Sequence, residues 1–247
     1  MSFINHGMAS GGSVIAGPPT LPNVTISVIS TATASPNNTA DNSGIRNISF
    51  PAMGMSANRA SGGDKILIVA QALSTNTNAY VKYVSLGNVR CDDSDIAYHG
   101  NSTGGVIAWA FFDDPGTATE NVVLGTIGSG SNSAGHAAVA LRLRNVRRLH
   151  KNNSIYGVGN GNGITSVSST YGGMLLVATR GSTNVDHSPV VVANGYVELV
   201  NRVANNAFGR GLSLWYRYSS EPSGTEQIET WTPAGANTAF WSFLSVR

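Results

Sequence analysis

HAAVALRLR (136–144) sets apolar and polar residues in alternation near the middle of the chain. Three branched apolar side chains fall on one side of an extended strand: Val139, Leu141 and Leu143. The intervening positions fall on the other side: Ala140, Arg142 and Arg144. GLSLWYRY (211–218) shows the same period of two. This pattern is typical of a half-buried antiparallel strand, in which successive side chains point to opposite faces.

Ten further runs of apolar and β-branched residues predict strands elsewhere in the chain: VTISVIS (24–30), IRNISF (45–50), KILIVAQAL (65–73), AYVKYVS (79–85), VIAWAFF (106–112), VVLGTI (122–127), GMLLVAT (173–179), PVVVANGYVELV (189–200), QIETWT (227–232) and FWSFLSV (240–246). Turn-forming clusters separate them, among them DDPG (113–116), GSGSNSAG (128–135), GNGNG (159–163) and EPSG (221–224). We find no long capped helix and no fixed repeat. The sequence therefore predicts an all-β fold, an antiparallel jelly roll or β-sandwich.

Composition agrees with one folded domain. Of the 247 residues 41% are hydrophobic and only 11% are charged, with a net charge of +2, which excludes the usual signature of disorder. Residues 1–22 are rich in Gly, Ser and Pro, so we expect an extended N-terminal arm before a domain spanning 23–247. Cys91 is the single cysteine and allows no internal disulfide. No signal peptide or membrane-spanning run is recognisable, so we expect synthesis in the cytoplasm and no membrane insertion.

Three segments carry a resemblance to a known family: GGDKILIVAQA (62–72), GGVIAWAFFDDPG (104–116) and EPSGTEQIETWTPAGANTAFWSFLSV (221–246). Their order resembles the jelly-roll structural proteins of tailed-bacteriophage and prophage particles, over about three quarters of the chain. The resemblance implies a domain on heads, tails or spikes that decorates the particle or touches the host. It also implies structural roles for a few residues: Gly63, Asp64, Glu221, Pro222, Gly224 and Trp231. Residues 142–151 and 152–163 depart from the family pattern.

Three functions remain open. The first is a structural virion component, not an enzyme, that assembles with other virion proteins and forms a homo-oligomer through its arm. The second is a receptor-binding module that recognises a host surface glycan, with exposed aromatics clustered at one end. The third, a carbohydrate-cleaving enzyme, needs two facing carboxylates, and the sequence cannot pair any two of its 13 acidic residues.

Two sets of residues are candidate binding sites. Glycan binding is predicted for four residues placed in loops: Tyr98, Tyr156, Asn160 and Asn162. Intersubunit contact with acidic loops is predicted for four arginines: Arg142, Arg144, Arg147 and Arg148. The first two arginines are expected on the outward face of a strand. DNA or lipopolysaccharide phosphates are alternative partners, although a whole-chain charge of +2 argues against nucleic acid as the main partner.

We predict no metal site and no cofactor. The acidic run 91–95 lacks the spacing of a calcium-binding EF-hand loop, and no histidine has a partner at i+2 or i+4. GNGNG (159–163) lacks the lysine and the strand–helix context of a phosphate-binding loop. The tryptophans lie on predicted strands and are expected in the core or in an interface: Trp109, Trp215, Trp231 and Trp241.

Overall fold

The computed structural model describes fourteen segments of the chain: 24–34, 43–59, 63–73, 80–92, 97–101, 105–127, 136–146, 149–150, 165–170, 174–180, 195–203, 211–218, 226–231 and 240–246. The predicted arm 1–22 and the turn 221–224 lie outside these residues. None of the described residues forms a helix that is long and apolar enough to cross a membrane.

The described residues form sixteen β-strands: β1 (Thr25–Ala34), β2 (Arg46–Gly54), β3 (Lys65–Leu73), β4 (Tyr80–Leu86), β5 (Val89–Asp92), β6 (Ala97–Asn101), β7 (Gly105–Asp113), β8 (Thr119–Ile127), β9 (His136–Arg144), β10 (Leu149–His150), β11 (Thr165–Thr170), β12 (Met174–Arg180), β13 (Val197–Val203), β14 (Leu212–Tyr218), β15 (Glu226–Trp231) and β16 (Phe240–Val246). The all-β prediction is confirmed. Each predicted strand corresponds to an observed one, and the predicted bounds of β3, β9 and β16 are unchanged.

The strands pair antiparallel in three larger sheets and one ribbon. The central sheet has the order β1-β9-β3-β7-β6, and the four-stranded sheet has the order β2-β8-β4-β5. The third sheet has the order β10-β16-β12-β14-β13, and β11 pairs with β15 in the ribbon. The result is a sandwich in which sheets are stacked face to face.

The central sheet is covered on both faces. Alternate residues of β3, β7 and β9 enter a first core against the four-stranded sheet, with Ile68, Ala108 and Ala140 among them. The intervening residues enter a second core against the third sheet, with Val69 and Trp109 among them. The alternation in HAAVALRLR is therefore confirmed, but its second face is not a solvent face. A strand that is buried on both sides is expected to be apolar at nearly every position, and the sequence of β3, KILIVAQAL, shows this.

Two predicted core tryptophans are buried. Trp109 and Trp215 are each 1% exposed. Trp109 belongs to the second core, whereas Trp215 lies on the opposite face of β14 from Leu214, which is in that core. The other two, Trp231 and Trp241, lie on strands as predicted, but their side chains are outside the described part of the chain.

A bulge interrupts the outer strand of the four-stranded sheet. The register of β2 against β8 shifts between Phe50 and Met53. Within the bulge Ala52 has a left-handed backbone with φ 52°, and its N–H donates to Asn121 Oδ1 at 3.0 Å. Bulges of this kind twist an edge strand away from further pairing, and Pro51 removes one of its donors.

Candidate functional site

Arg142 lies at the centre of the most extensive polar contact set in the described residues. Its side chain is 1% exposed, and Nη1 contacts Oδ2 of Asp64 at 3.0 Å and Oδ2 of Asp114 at 2.5 Å. Nε donates to the carbonyl of Ala57 at 3.1 Å, and Nη2 donates to the carbonyl of Met55. The prediction that Arg142 faces outward is wrong, because the first core covers this face of β9. A buried guanidinium needs hydrogen-bond acceptors within the protein, and these four contacts supply them.

Two turns bring the aspartates to Arg142. Asp64 directly precedes β3 and follows Gly63, whose φ of 79° is a conformation that side-chain-bearing residues rarely adopt. Asp114 follows β7 in the predicted DDPG turn, where its Oδ1 accepts a hydrogen bond from the Gly116 N–H at 3.0 Å. Since β3 and β7 are antiparallel neighbours, the start of one meets the end of the other, and both carboxylates lie at the same end of the sandwich.

Two further arginines close the contact set. Arg59 donates to Asp114 from Nε at 3.0 Å and from Nη2 at 3.2 Å, and it donates to the Gly116 carbonyl at 2.9 Å. Arg144 contacts Asp64 through Nε at 3.4 Å and donates to the Asn58 carbonyl. We name this group the arginine–aspartate cluster: Arg59, Asp64, Asp114, Arg142 and Arg144. It joins the β2–β3 connection, the β7–β8 turn and β9.

The charges of the cluster bear on the enzyme hypothesis. Asp64 and Asp114 both contact Nη1 of Arg142, so this is the place in the described residues where two carboxylates come close enough to be considered as a glycosidase pair. Burial alone would raise the pKa of Asp114, but hydrogen bonds from Arg142, Gly116 and Arg59 outweigh burial and hold that pKa below its ordinary value. A glycosidase acid needs a raised pKa so that it carries a proton at neutral pH. The geometry favours a structural clamp that ties loops together.

The predicted glycan residues are not brought together in the described structure. Tyr98 lies in β6, where it pairs with Ala108 of β7, so its predicted place in a loop is wrong. Strand β6 (AYHGN) has no apolar alternation, and its pairing with β7 is therefore a tertiary effect. Tyr156, Asn160 and Asn162 lie outside the described residues, as do Arg147 and Arg148. Those site predictions remain predictions.

The acidic run beside Cys91 is only partly described. Cys91 and Asp92 lie in β5, with Cys91 half-buried against the first core. Residues 93–95 are outside the described segments. Within those segments no group of three His, Cys, Asp or Glu side chains is placed to hold a metal ion.

Sequence reasoning placed Asp64 at a strand start and Asp114 in a turn, but it did not pair either with Arg142. One feature of the sequence could have indicated a buried Arg142. The apolar runs 65–73 and 106–112 predict strands that are buried on both faces, and an arginine in the same sheet would then need an acidic partner. Comparison with known proteins adds no relative: no family model, no curated protein and no solved structure matches the chain.

Proposed function

We propose that the chain is a structural component of a tailed-phage virion, as a capsid decoration, spike or tail-associated protein. It acts by assembling with other virion proteins, and its domain is a jelly roll. Within the predicted domain 23–247, the strands of the central and four-stranded sheets supply the jelly roll, and the third sheet packs on the second face of the central sheet.

Strand order is the observation that carries this proposal. The chain pairs with itself in nested antiparallel hairpins, β1 with β9, β2 with β8, β3 with β7 and β4 with β5. Successive strands from β1 to β4 alternate between the central and four-stranded sheets. Rolling one long hairpin in this way produces a jelly roll, an architecture used in viral capsid and lectin domains.

Surface chemistry supports the same role. Only 11% of residues are charged, so a permanent contact between copies would desolvate few charges. The arginine–aspartate cluster turns several of those few charges inward and joins the β2–β3 connection, the β7–β8 turn and β9 at one end of the sandwich. A fixed loop end of this kind suits a protein whose loops must meet neighbours in one geometry.

The test is the composition of purified particles. Immunogold labelling with an antibody against the chain should give a constant number of gold particles on each virion of the phage that encodes it. Light scattering should give an oligomer for the full chain and fewer copies in each particle when residues 1–22 are removed. A chain absent from purified virions and monomeric with or without residues 1–22 would overturn the proposal.

A further inference from the structure

The four-stranded sheet turns one face away from the first core, and this face has a regular polar pattern. The register places Asn47, Gly125, Tyr83 and Asp92 in one row across β2, β8, β4 and β5. A second row holds Ser49, Val123, Ser85 and Arg90. The row between them points inward, since its members pack in or against the first core: Ile48, Leu124, Val84 and Cys91. We name the two outward rows the outer polar face.

Tyr83 lies flat against this face. A Cβ on Gly125 would come 2.2 Å from the Cε1 atom of the Tyr83 ring, so the ring occupies the space that any larger residue would need. The Tyr83 hydroxyl donates to Oδ1 of Asn47 at 2.6 Å. The missing side chain at 125 and the hydrogen bond to β2 therefore fix the ring across two neighbouring strands.

Arg90 is fixed on the Tyr83 ring. Its guanidinium carbon lies 4.1 Å from the ring centroid, and Nε contacts Oδ1 of Asp92 at 2.5 Å. The side chains of Arg90 and Asp92 remain 52% and 56% exposed. In the described part of the chain Nε is the only Arg90 donor with a side-chain acceptor. The stacking and the ion pair thus fix the orientation of both terminal amino groups of Arg90 before any ligand binds. The second carboxylate oxygen of Asp92 lies beside them and can accept a hydrogen bond.

We propose that the outer polar face binds a carboxylate-bearing polysaccharide. The guanidinium of Arg90 would take the sugar carboxylate through two parallel hydrogen bonds. Asp92 would accept from a sugar hydroxyl, while Ser49 and Ser85 both donate and accept. Neighbouring strands are about 4.8 Å apart, so these groups form a flat grid on the scale of a sugar ring. Because the donors are held before binding, little side-chain entropy is lost.

The face fits a protein partner less well. Protein interfaces concentrate binding energy in a buried apolar or aromatic centre. Here the only aliphatic side chain in the two rows is Val123, which is half-buried, and the Tyr83 ring is covered by Gly125 and Arg90. The inference stands independently of assembly into a virion, because it concerns the isolated chain.

The experiment is affinity electrophoresis of the full chain in native gels that contain polygalacturonate. The same polymer with its carboxyl groups methyl-esterified is the neutral comparison. We expect retardation by the acidic polymer only. Arg90→Ala should weaken binding roughly tenfold or more, as expected for loss of a charge-assisted bidentate contact. Lys65→Ala is the matched control, since it also removes one positive charge from an exposed ion pair, with Asp113, outside the face.

A second variant tests the geometry without changing a charge. Gly125→Ala removes no hydrogen-bonding group, but it displaces the Tyr83 ring and with it the Arg90 guanidinium stacked on that ring. It should therefore weaken retardation while the β-sheet circular dichroism stays unchanged. Equal retardation of wild type and Arg90→Ala, or equal retardation by the esterified polymer, would overturn the proposal. So would a wild type that neither gel retards. An oligomer that Arg90→Ala dissociates, without polysaccharide binding, would make the face a contact between copies.

Discussion

The hydroxyl of Tyr218 donates a hydrogen bond to the backbone carbonyl of Val24 at 2.6 Å. The two residues are 194 positions apart in sequence, and the bond joins the end of β14 in the third sheet to the residue before β1 in the central sheet. The Tyr218 ring packs edge-to-face on Tyr216 at 5.7 Å between centroids, which holds the hydroxyl in place. This contact bridges the third sheet and the central sheet near the margin of the second core.

Tyr218→Phe should lower the free energy of unfolding by about 1 kcal/mol, because it removes this hydrogen bond and keeps the ring. Urea denaturation followed by fluorescence measures the change. Tyr80→Phe is the control, since Tyr80 is also exposed and its hydroxyl has no hydrogen-bond acceptor among the described residues. Equal unfolding midpoints for the two variants would show that the bond to Val24 does not stabilise the fold.

Arg142→Met should destabilise the fold by about 3–5 kcal/mol, because it leaves Asp64 charged and only 4% exposed without its main partner. The expected result is a large drop in the urea midpoint, or an unfolded protein at neutral pH. Lys65→Ala breaks an ion pair in which Asp113 is 86% exposed, and such pairs contribute at most about 1 kcal/mol. Similar losses from the two substitutions would contradict the distinction between a buried clamp and a surface pair.

Stability should fall as the pH is lowered from 6.5 to 4. Burial lowers the pKa of His136 from 6.5 to about 4, so the folded chain keeps the imidazole neutral while the unfolded chain binds a proton. The stability linked to this pKa difference is complete above pH 6.5 and is lost as the pH approaches 4, by about 3 kcal/mol in all. The lowered pKa of Asp114 acts only at more acidic pH, below its ordinary value of 3.8.

His136→Gln isolates this effect. The variant should show a much flatter dependence of the unfolding free energy between pH 6.5 and 4, measured by urea denaturation at several pH values. A loss of the same size in wild type and variant would assign the acid sensitivity to other groups.

Ala52→Gly should stabilise the fold by about 0.5–1 kcal/mol. Relief of the left-handed backbone at Ala52 exceeds the entropy that glycine adds to the unfolded chain. Gly44→Ala is the mirror experiment, since Gly44 has φ 78° with nothing within 4 Å of an added Cβ, and it should cost a similar amount. Thermal unfolding reports both changes, and two shifts of the same sign would contradict this account.

Period-two alternation predicted the strands well, because it reflects a local rule of the pleated backbone. β3 and β9 lie within their predicted bounds, and the apolar residues of HAAVALRLR alternate between two cores, as a period of two predicts. What covers each face is not local. From the sequence, Arg142 is predicted to face solvent. In the structure it contacts Asp64, 78 positions earlier, and Asp114, 28 positions earlier, and no local pattern indicates these contacts.

Strands without an apolar pattern escaped prediction. β5 has four residues and β6 has five, and each is recruited by pairing with a longer neighbour, β4 or β7. Tyr98 was assigned to a loop for that reason. The outer polar face was missed as well, because a row across four strands follows from register and cannot be seen along one segment.

A central sheet covered on both sides has a consequence for synthesis on the ribosome. The strands of the first core are complete at residue 144, whereas the second core needs β16, roughly 100 residues later. At translation rates of about 5–20 residues per second, the nascent chain would expose Leu67, Trp109 and Leu141 to solvent for about 5–20 s. A chain ending at residue 146 should therefore aggregate in a light-scattering assay, and a monodisperse fragment would refute this. β16, the last described strand to be translated, thus completes the sheet that covers the second face of the central sheet.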